Sequence, residues 1–294
     1  MPYDSLDVKE IYDVQLKLFS DKKLILKVYD EQITTKKSDS YEPLADILPS
    51  DNESILPLID LGNNTKDAAY QTIRTDSLAR SRNLLIDLAH ENYKIWSSFI
   101  TLTFKENITD LDYANKCFAN WVRSVKRIHS DFKYLCVPEF QRRGAVHYHL
   151  ITNLSVGEGI IPKRKTIKTK SENGGYKKLD YYDLKYWKHG FSSAFDLKLT
   201  DDKFSVSLYI TKYLYKDVSD RLYGRQKILH SADLNHPIFA KTTVYQVNDI
   251  LKKCKLVNYY EFKKQKEFQL GYQMFEFDLD NEEFEIIKHY FNNQ

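Results

Sequence analysis

Pro138-Glu-Phe-Gln-Arg-Arg-Gly-Ala-Val-His-Tyr-His149 is the stretch that decides how this chain is read. It predicts a β-hairpin turning at Arg142-Arg143-Gly144, with glycine where the turn needs left-handed backbone. With those three residues as the loop, Gln141 falls opposite Ala145, Glu139 opposite His147, and Val137 opposite His149. Side chains alternate along a strand, so His147 and His149 share a face. Glu139 lies directly across the ladder on that face, with Cβ atoms about 5 Å apart. Two neutral imidazoles and a carboxylate, with coordination positions to spare, suit a divalent cation that also holds a substrate oxygen. His-x-His on a strand is weak evidence alone, since two solvent-facing histidines on an ordinary hairpin give the same pattern. The rest of the chain has to supply the weight.

Working outward, Trp96 to Phe104 predicts a strand, with Ile100, Leu102 and Phe104 on one face and Phe99, Thr101 and Thr103 on the other. A helix is expected before it, starting near Asp76-Ser77 and carrying Leu78, Ser81, Leu84, Leu85, Leu88 and Ala89. Another begins near Asp110, with Leu111, Ala114, Cys117, Phe118, Trp121, Val122 and Val125 at helical spacing. The hairpin strands are placed at 133–141 and 145–152, a further strand at 193–199 and a helix at 203–217. Two strands flank Ser20-Asp21-Lys22 near the N-terminus. The last sixty residues show a helix near 245–255, strands near 259–262 and 274–279, and a helix from Asn281. This order is α+β, with a central antiparallel sheet flanked by helices. It divides into an N-terminal β-hairpin (1–35), an acidic linker or arm (36–75), a central domain (76–235) and a C-terminal α/β extension (236–294).

Composition narrows the class. The 294 residues are 42% hydrophobic and 29% charged, as in a soluble globular protein. No apolar run approaches the roughly 20 residues of a membrane helix. Asp4, Asp7 and Glu10, with no apolar segment among the first ten residues, lead us to expect no secretory signal there. Cys117, Cys136 and Cys254 stand far apart in no paired spacing, which argues against a cysteine zinc site and for a reducing cytoplasm. The net charge of +3 says little, but its distribution says more. Residues 38–65 hold Asp39, Glu42, Asp46, Asp51, Glu53 and Asp60 without a Lys or Arg. Residues 163–178 hold Lys163, Arg164, Lys165, Lys168, Lys170, Lys177 and Lys178 against Glu172 alone. That segment, read as a basic loop with Tyr176, Tyr181 and Tyr182 nearby, is a candidate grip on DNA through phosphates and base stacking. Arg142 and Arg143 at the hairpin turn are further candidates for backbone contacts. No Gly-x-x-x-x-Gly-Lys occurs, so a phosphate-binding loop for ATP is absent from the sequence.

The helix at 203–217 carries the second constellation. Val206, Ile210 and Leu214 form its buried stripe, Tyr209 and Tyr213 lie along one border, and Lys212 and Lys216 occupy the face beyond. Tyrosines bordering a stripe are commonly just core-edge residues. A phenol of pKa about 10 becomes a nucleophile when a cation or base stabilises its phenolate. A divalent metal beside such a phenol fits transfer of a phosphodiester bond to tyrosine.

These three stretches together resemble the HUH endonucleases, and among them the rolling-circle replication initiators of plasmids and small phages. Phe99-Ile-Thr-Leu-Thr-Phe104 is similar to that family's first strand, and His147-Tyr148-His149 to its His-hydrophobic-His motif with Glu139 as third ligand. Tyr209-x-x-Lys212 is similar to its tyrosine helix, and Tyr213 to the two-tyrosine form. Tyr148 is bulkier than the usual aliphatic residue at that position. The resemblance spans about residues 76–220 and implies a ferredoxin-like HUH core over 76–235. It implies Mg²⁺ or Mn²⁺ at Glu139, His147 and His149, and nicking of single-stranded or hairpin origin DNA by Tyr209 or Tyr213, with Lys212 steadying the phosphate or phenolate. A 5′-phosphotyrosine and a free 3′-hydroxyl would result, with a host helicase and polymerase as partners in a bacterial cytoplasm. A relaxase or transposase of the same superfamily, a non-catalytic origin binder and a small-phosphoester hydrolase are the alternatives. Relaxases usually place the tyrosine before the histidines, which is the reverse of the order here.

Overall fold

The computed structural model describes residues 9–36, 80–141, 143–157, 159–170, 176–197, 210, 225–252, 254–262 and 271–292. In chain order its elements are β1 (Lys9–Leu18), β2 (Lys23–Lys36), α1 (80–91), β3 (Ser98–Thr103), α2 (Leu111–Lys126), β4 (Tyr134–Phe140), β5 (Val146–Thr152), β6 (Lys163–Lys170), β7 (Tyr176–Tyr182), β8 (Ser192–Asp196), β9 (Leu229–His230), β10 (Ile238–Thr242), α3 (Val244–Leu251), β11 (Lys255–Phe262), β12 (Tyr272–Asp278) and α4 (Asn281–Asn292). The fold is α+β, and its two sheets are built from antiparallel pairs. Among the described residues no helix is long and apolar enough to cross a membrane.

The chain divides into two compact units, one of Met1–Glu53 with His236–Gln294 and one of Ser54–Asn235. In the first, five strands run in the order β10-β1-β2-β12-β11. The β1–β2 hairpin turns through Lys22, whose φ is +68°. A lone hairpin leaves both edges unpaired and is marginal in water. Here both edges are covered by C-terminal strands, with Leu16 opposite Ala240 and Leu24 opposite Phe277. Residues 1–35 and 236–294, read separately in the sequence, therefore supply one sheet. Val14, Leu16, Leu24 and Leu26 pack on Val247 of α3 and on Ile287 and Phe291 of α4.

The second unit holds seven strands in the order β6-β7-β8-β3-β5-β4-β9. The alternation read in residues 99–104 is what separates its two layers. Ile100, Leu102 and Phe104 join Tyr148 and Leu150 under the apolar stripe of α2, which runs from Leu111 through Phe118 and Trp121 to Val125. The Asp110 carboxylate caps that helix, accepting the Asp112 and Tyr113 amides at 2.9 and 3.3 Å. On the opposite face, Phe99, Leu135, Val137 and Ile151 pack with Leu85, Leu88 and Ala89 of α1.

The basic segment is not a loop. Residues 163–170 and 176–182 form a hairpin that extends the sheet, with Ile167 opposite Leu179 and Lys168 opposite Lys178. Thr166, Ile167 and Thr169 favour strand, and Asn173-Gly174 is a strong hairpin-turn signal that the density of charge obscured. After β7 the chain is pinned to the end of β3. Lys105 N–H donates to His189 O at 2.9 Å, Thr103 N–H to Phe191 O at 2.8 Å, and the Trp187 indole to Thr103 O at 3.0 Å. Gly190 lies so close that a Cβ there would collide with the backbone of Thr103, Phe104 and Lys105. Gly190→Ala is expected to cost about 2 kcal/mol or more by overpacking, read as a lowered urea midpoint.

Candidate active site

The β4–β5 hairpin sets the site. Gly144 takes φ +87°, its N–H donates to Gln141 O at 2.7 Å, and Gln141 N–H donates to Ala145 O at 2.9 Å. The turn fixes the register, with Glu139 opposite His147, Pro138 opposite Tyr148 and Val137 opposite His149. On the other side of β5, β3 sets Thr101 against His149 and Thr103 against His147. Directly paired residues share a face, so Glu139, His147, His149 and Thr101 lie together on the α1 side of the sheet.

Tyr148 points the other way, into the α2 layer. It is fully buried, stacks on Phe118 with centroids 4.8 Å apart, and donates its hydroxyl to Asn115 Oδ1 at 2.8 Å. Burial raises its pKa further above the ordinary phenol value, so it is a packing residue. A bulky aromatic between the histidines is accommodated because the space it fills is core.

His149 is tied down on both ring nitrogens. Nε2 meets Glu139 Oε2 at 2.6 Å, and Nδ1 meets Thr101 Oγ1 at 3.2 Å. Phe99 stacks along the ring at a centroid distance of 6.1 Å. Glu139 thus bonds diagonally to His149, although His147 is its direct cross-strand neighbour. His147 is 8% exposed, and its Nε2 is buried with no hydrogen-bond partner. Burial lowers its pKa to about 4; neighbouring His149 and Arg143 push the same way and Glu139 pulls back. At neutral pH His147 is therefore an uncharged imidazole with an unused ring nitrogen. Among the described residues no group of three or more His, Cys, Asp or Glu side chains gathers in a metal-holding arrangement. The Glu139–His149 bond closes two of the three candidates on each other.

The other sequence candidates fall in different places. Arg143 stays at the turn, donating Nε–H to Gln141 Oε1 at 3.0 Å, while Arg142 lies outside the described residues. Lys163, Arg164, Lys165 and Lys168 belong to β6 at the sheet edge. Four strand spacings, about 19 Å of backbone separation, lie between β6 and β5. Tyr209, Lys212 and Tyr213 lie outside the described residues. Their neighbour Ile210 is described, and it is fully buried among Phe99, Leu135, Val137 and Ile151. The chain thus returns at residue 210 to the sheet face that carries His147 and His149. Thr101 carries no signal of its own in the sequence. Alternation put it on this face, but only the β3–β5 pairing shows that it meets His149.

Residues 97–218 match the family model of the replication-associated protein ORF2/G2P. No curated protein and no solved structure matches the chain. The matched span begins just before β3 and ends past Tyr213, so it takes in the histidine hairpin, the basic hairpin and both tyrosines. It covers under half of the chain and leaves out the five-stranded unit. The match indicates a replication-associated role with DNA as the partner.

Proposed function

We propose that this protein is a rolling-circle replication initiator of the HUH type. The observation that carries the reading is one sheet face holding Glu139, His147 and His149, on which Ile210, flanked in sequence by Tyr209 and Tyr213, is buried. Both stretches lie inside the span matched to a replication-associated family. The α1–β3–α2–β4–β5 arrangement is then the ferredoxin-like core.

The donor set fits a divalent cation. His147 offers a neutral, buried and otherwise unused Nε2, and a cation would replace the proton shared by Glu139 and His149. Mg²⁺ or Mn²⁺ held by these three residues would supply Lewis-acid polarisation of a scissile phosphate. Thr101 and Phe99 hold the His149 ring in place. The phenol oxygen of Tyr209 forms the new bond to phosphorus and gives up its proton. The bond from phosphorus to the 3′-oxygen breaks, and that oxygen leaves as a hydroxyl. The products are a 5′-phosphotyrosine and a free 3′-end that a host polymerase extends while a host helicase unwinds the template. Lys212 steadies the phosphate or phenolate, and Tyr213 serves a second cut that releases a circle. The reaction belongs in a bacterial cytoplasm, on single-stranded or hairpin origin DNA. A relaxase or single-strand transposase would use the same chemistry, but the histidines here precede paired tyrosines by about sixty residues, which favours an initiator.

The test is a denaturing gel of protein with end-labelled single-stranded DNA from its own coding neighbourhood, with Mn²⁺ or with chelator. A metal-dependent covalent band is expected. No band with any strand would make the protein a non-catalytic origin binder. The basic edge is tested separately. Neutralising Lys163, Arg164, Lys165 and Lys168 is expected to flatten the salt dependence of DNA binding by up to about 3 units of slope, at about 0.7 for each phosphate no longer neutralised. An unchanged slope would remove that edge from the interface.

A further inference from the structure

On the α2 side of the seven-stranded sheet, away from the histidines, lies a cavity of about 250 Å³ lined by Asn120, Trp121, Ser124, Tyr186, Lys188 and His189. We infer that it is a nucleotide-binding pocket, taking a base against Tyr186 and the attached phosphate on Lys188. The choice of a nucleotide over other anions rests on the replication reading above.

Three observations point to a ligand. The first is an unused donor. The chain has three tryptophans. The Trp96 indole donates to Ala89 O at 3.0 Å, and the Trp187 indole donates to Thr103 O at 3.0 Å. Trp121 is only 3% exposed, and its Nε1–H is buried with no acceptor. A buried donor left unmade is costly, so an acceptor supplied from outside stabilises it. The second is charge. Among the described residues the lining brings Lys188 and a histidine and no carboxylate, so it favours an anion. The third is construction. Leu184 and Trp187 are buried, and the loop is held to β3 at His189 and Phe191, so Tyr186 and Lys188 project on either side of a fixed anchor. The Tyr186 ring is 38% exposed and presents an aromatic face for stacking. The Ser124 hydroxyl donates to Asn120 O at 3.0 Å, which keeps its oxygen facing the same wall. A cavity this small suits one nucleotide and not a dinucleotide.

The experiment is an ¹H–¹⁵N spectrum of the full chain labelled at tryptophan, in which three indole cross-peaks appear. The Trp121 peak is identified by through-space contacts to Phe118 and Phe132, whose rings lie 5.7 Å away. The ligands are a five-residue oligothymidylate, dTMP and inorganic phosphate. The oligonucleotide and dTMP are expected to move the Trp121 peak while the other two stay, and Tyr186→Ala or Lys188→Ala to weaken binding about tenfold. Tyr186→Phe keeps the stack and should bind as the unmodified protein does. Tighter binding of the oligonucleotide identifies the occupant as a unit of a DNA strand, and tighter binding of dTMP as a free nucleotide. A peak that no ligand moves, or that inorganic phosphate moves equally, overturns the pocket. The denaturing gel on the same samples separates the two readings. A covalent band with a silent Trp121 peak defeats the pocket alone, and a shifted peak without a band defeats the nicking reading alone.

Discussion

Tyr209→Phe, Tyr213→Phe protein is expected to yield no covalent DNA adduct, a loss of at least about a thousandfold set against a nonenzymatic background near zero. Phenylalanine removes one oxygen and leaves the ring, so a fall in adduct of this size reports the nucleophile and not a packing defect. DNA affinity, measured by anisotropy, should change little, because phosphate contacts from Lys and Arg supply most of it. The single variants divide the work. Tyr209-Ile-Thr-Lys212 and Tyr213-Leu-Tyr-Lys216 have the same spacing, so each phenol has a lysine three residues further along the sequence. Tyr209→Phe alone should abolish the first cut. A full yield of adduct from that variant would reassign the first nucleophile to Tyr213. Ile210 gives the expectation its structural footing, since its burial beside Phe99 and Ile151 puts residue 210 on the histidine face.

How much of this was legible in the sequence depends on the range of the interaction. The β4–β5 register followed from Arg142-Arg143-Gly144, because a glycine-closed three-residue loop leaves one pairing for the flanking strands. The layer under α2 followed from the Asp110 cap and the spacing of apolar residues, both local. What stayed hidden was set by distant partners. Nothing in residues 9–36 announces that their edges are covered by strands at 238–242 and 272–278. Nor does spacing show that Glu139 bonds to His149 on the diagonal and leaves His147 unpaired, because that choice lies in side-chain torsions. The basic hairpin is hidden for another reason. Seven positive charges in sixteen residues have the composition of a solvated loop, and they outweigh the strand preference of Thr166, Ile167 and Thr169 and the turn signal of the Asn173-Gly174 dipeptide.

The unpaired His147 leads to the second large effect, one in which stability and activity move in opposite directions. His147 holds a buried ring nitrogen with no partner, which costs about 1–3 kcal/mol in the metal-free fold. His147→Leu replaces it with an apolar side chain in the same layer of the sheet. Metal-free protein carrying that change should unfold at a higher urea concentration, by about 1 kcal/mol, while its metal-dependent nicking falls by about a hundredfold or more. The pH dependence separates this from generic repacking. The folded pKa of His147 lies near 4, below the unfolded value of about 6.5, so between those values the unfolded chain binds a proton that the folded one does not. Metal-free protein should therefore lose stability as pH falls from about 6.5 towards 4, and His147→Leu should lose less of it over the same range. Added Mn²⁺ should raise the melting temperature of the unmodified protein and leave that of the variant unmoved, since a ligand stabilises only the state that binds it. Equal Mn²⁺ shifts in both proteins would place the cation elsewhere and remove His147 from the site. Thr101→Val offers a graded control. It loosens His149 without removing a ligand, so nicking should fall by about ten- to a hundredfold with the Mn²⁺ shift partly kept.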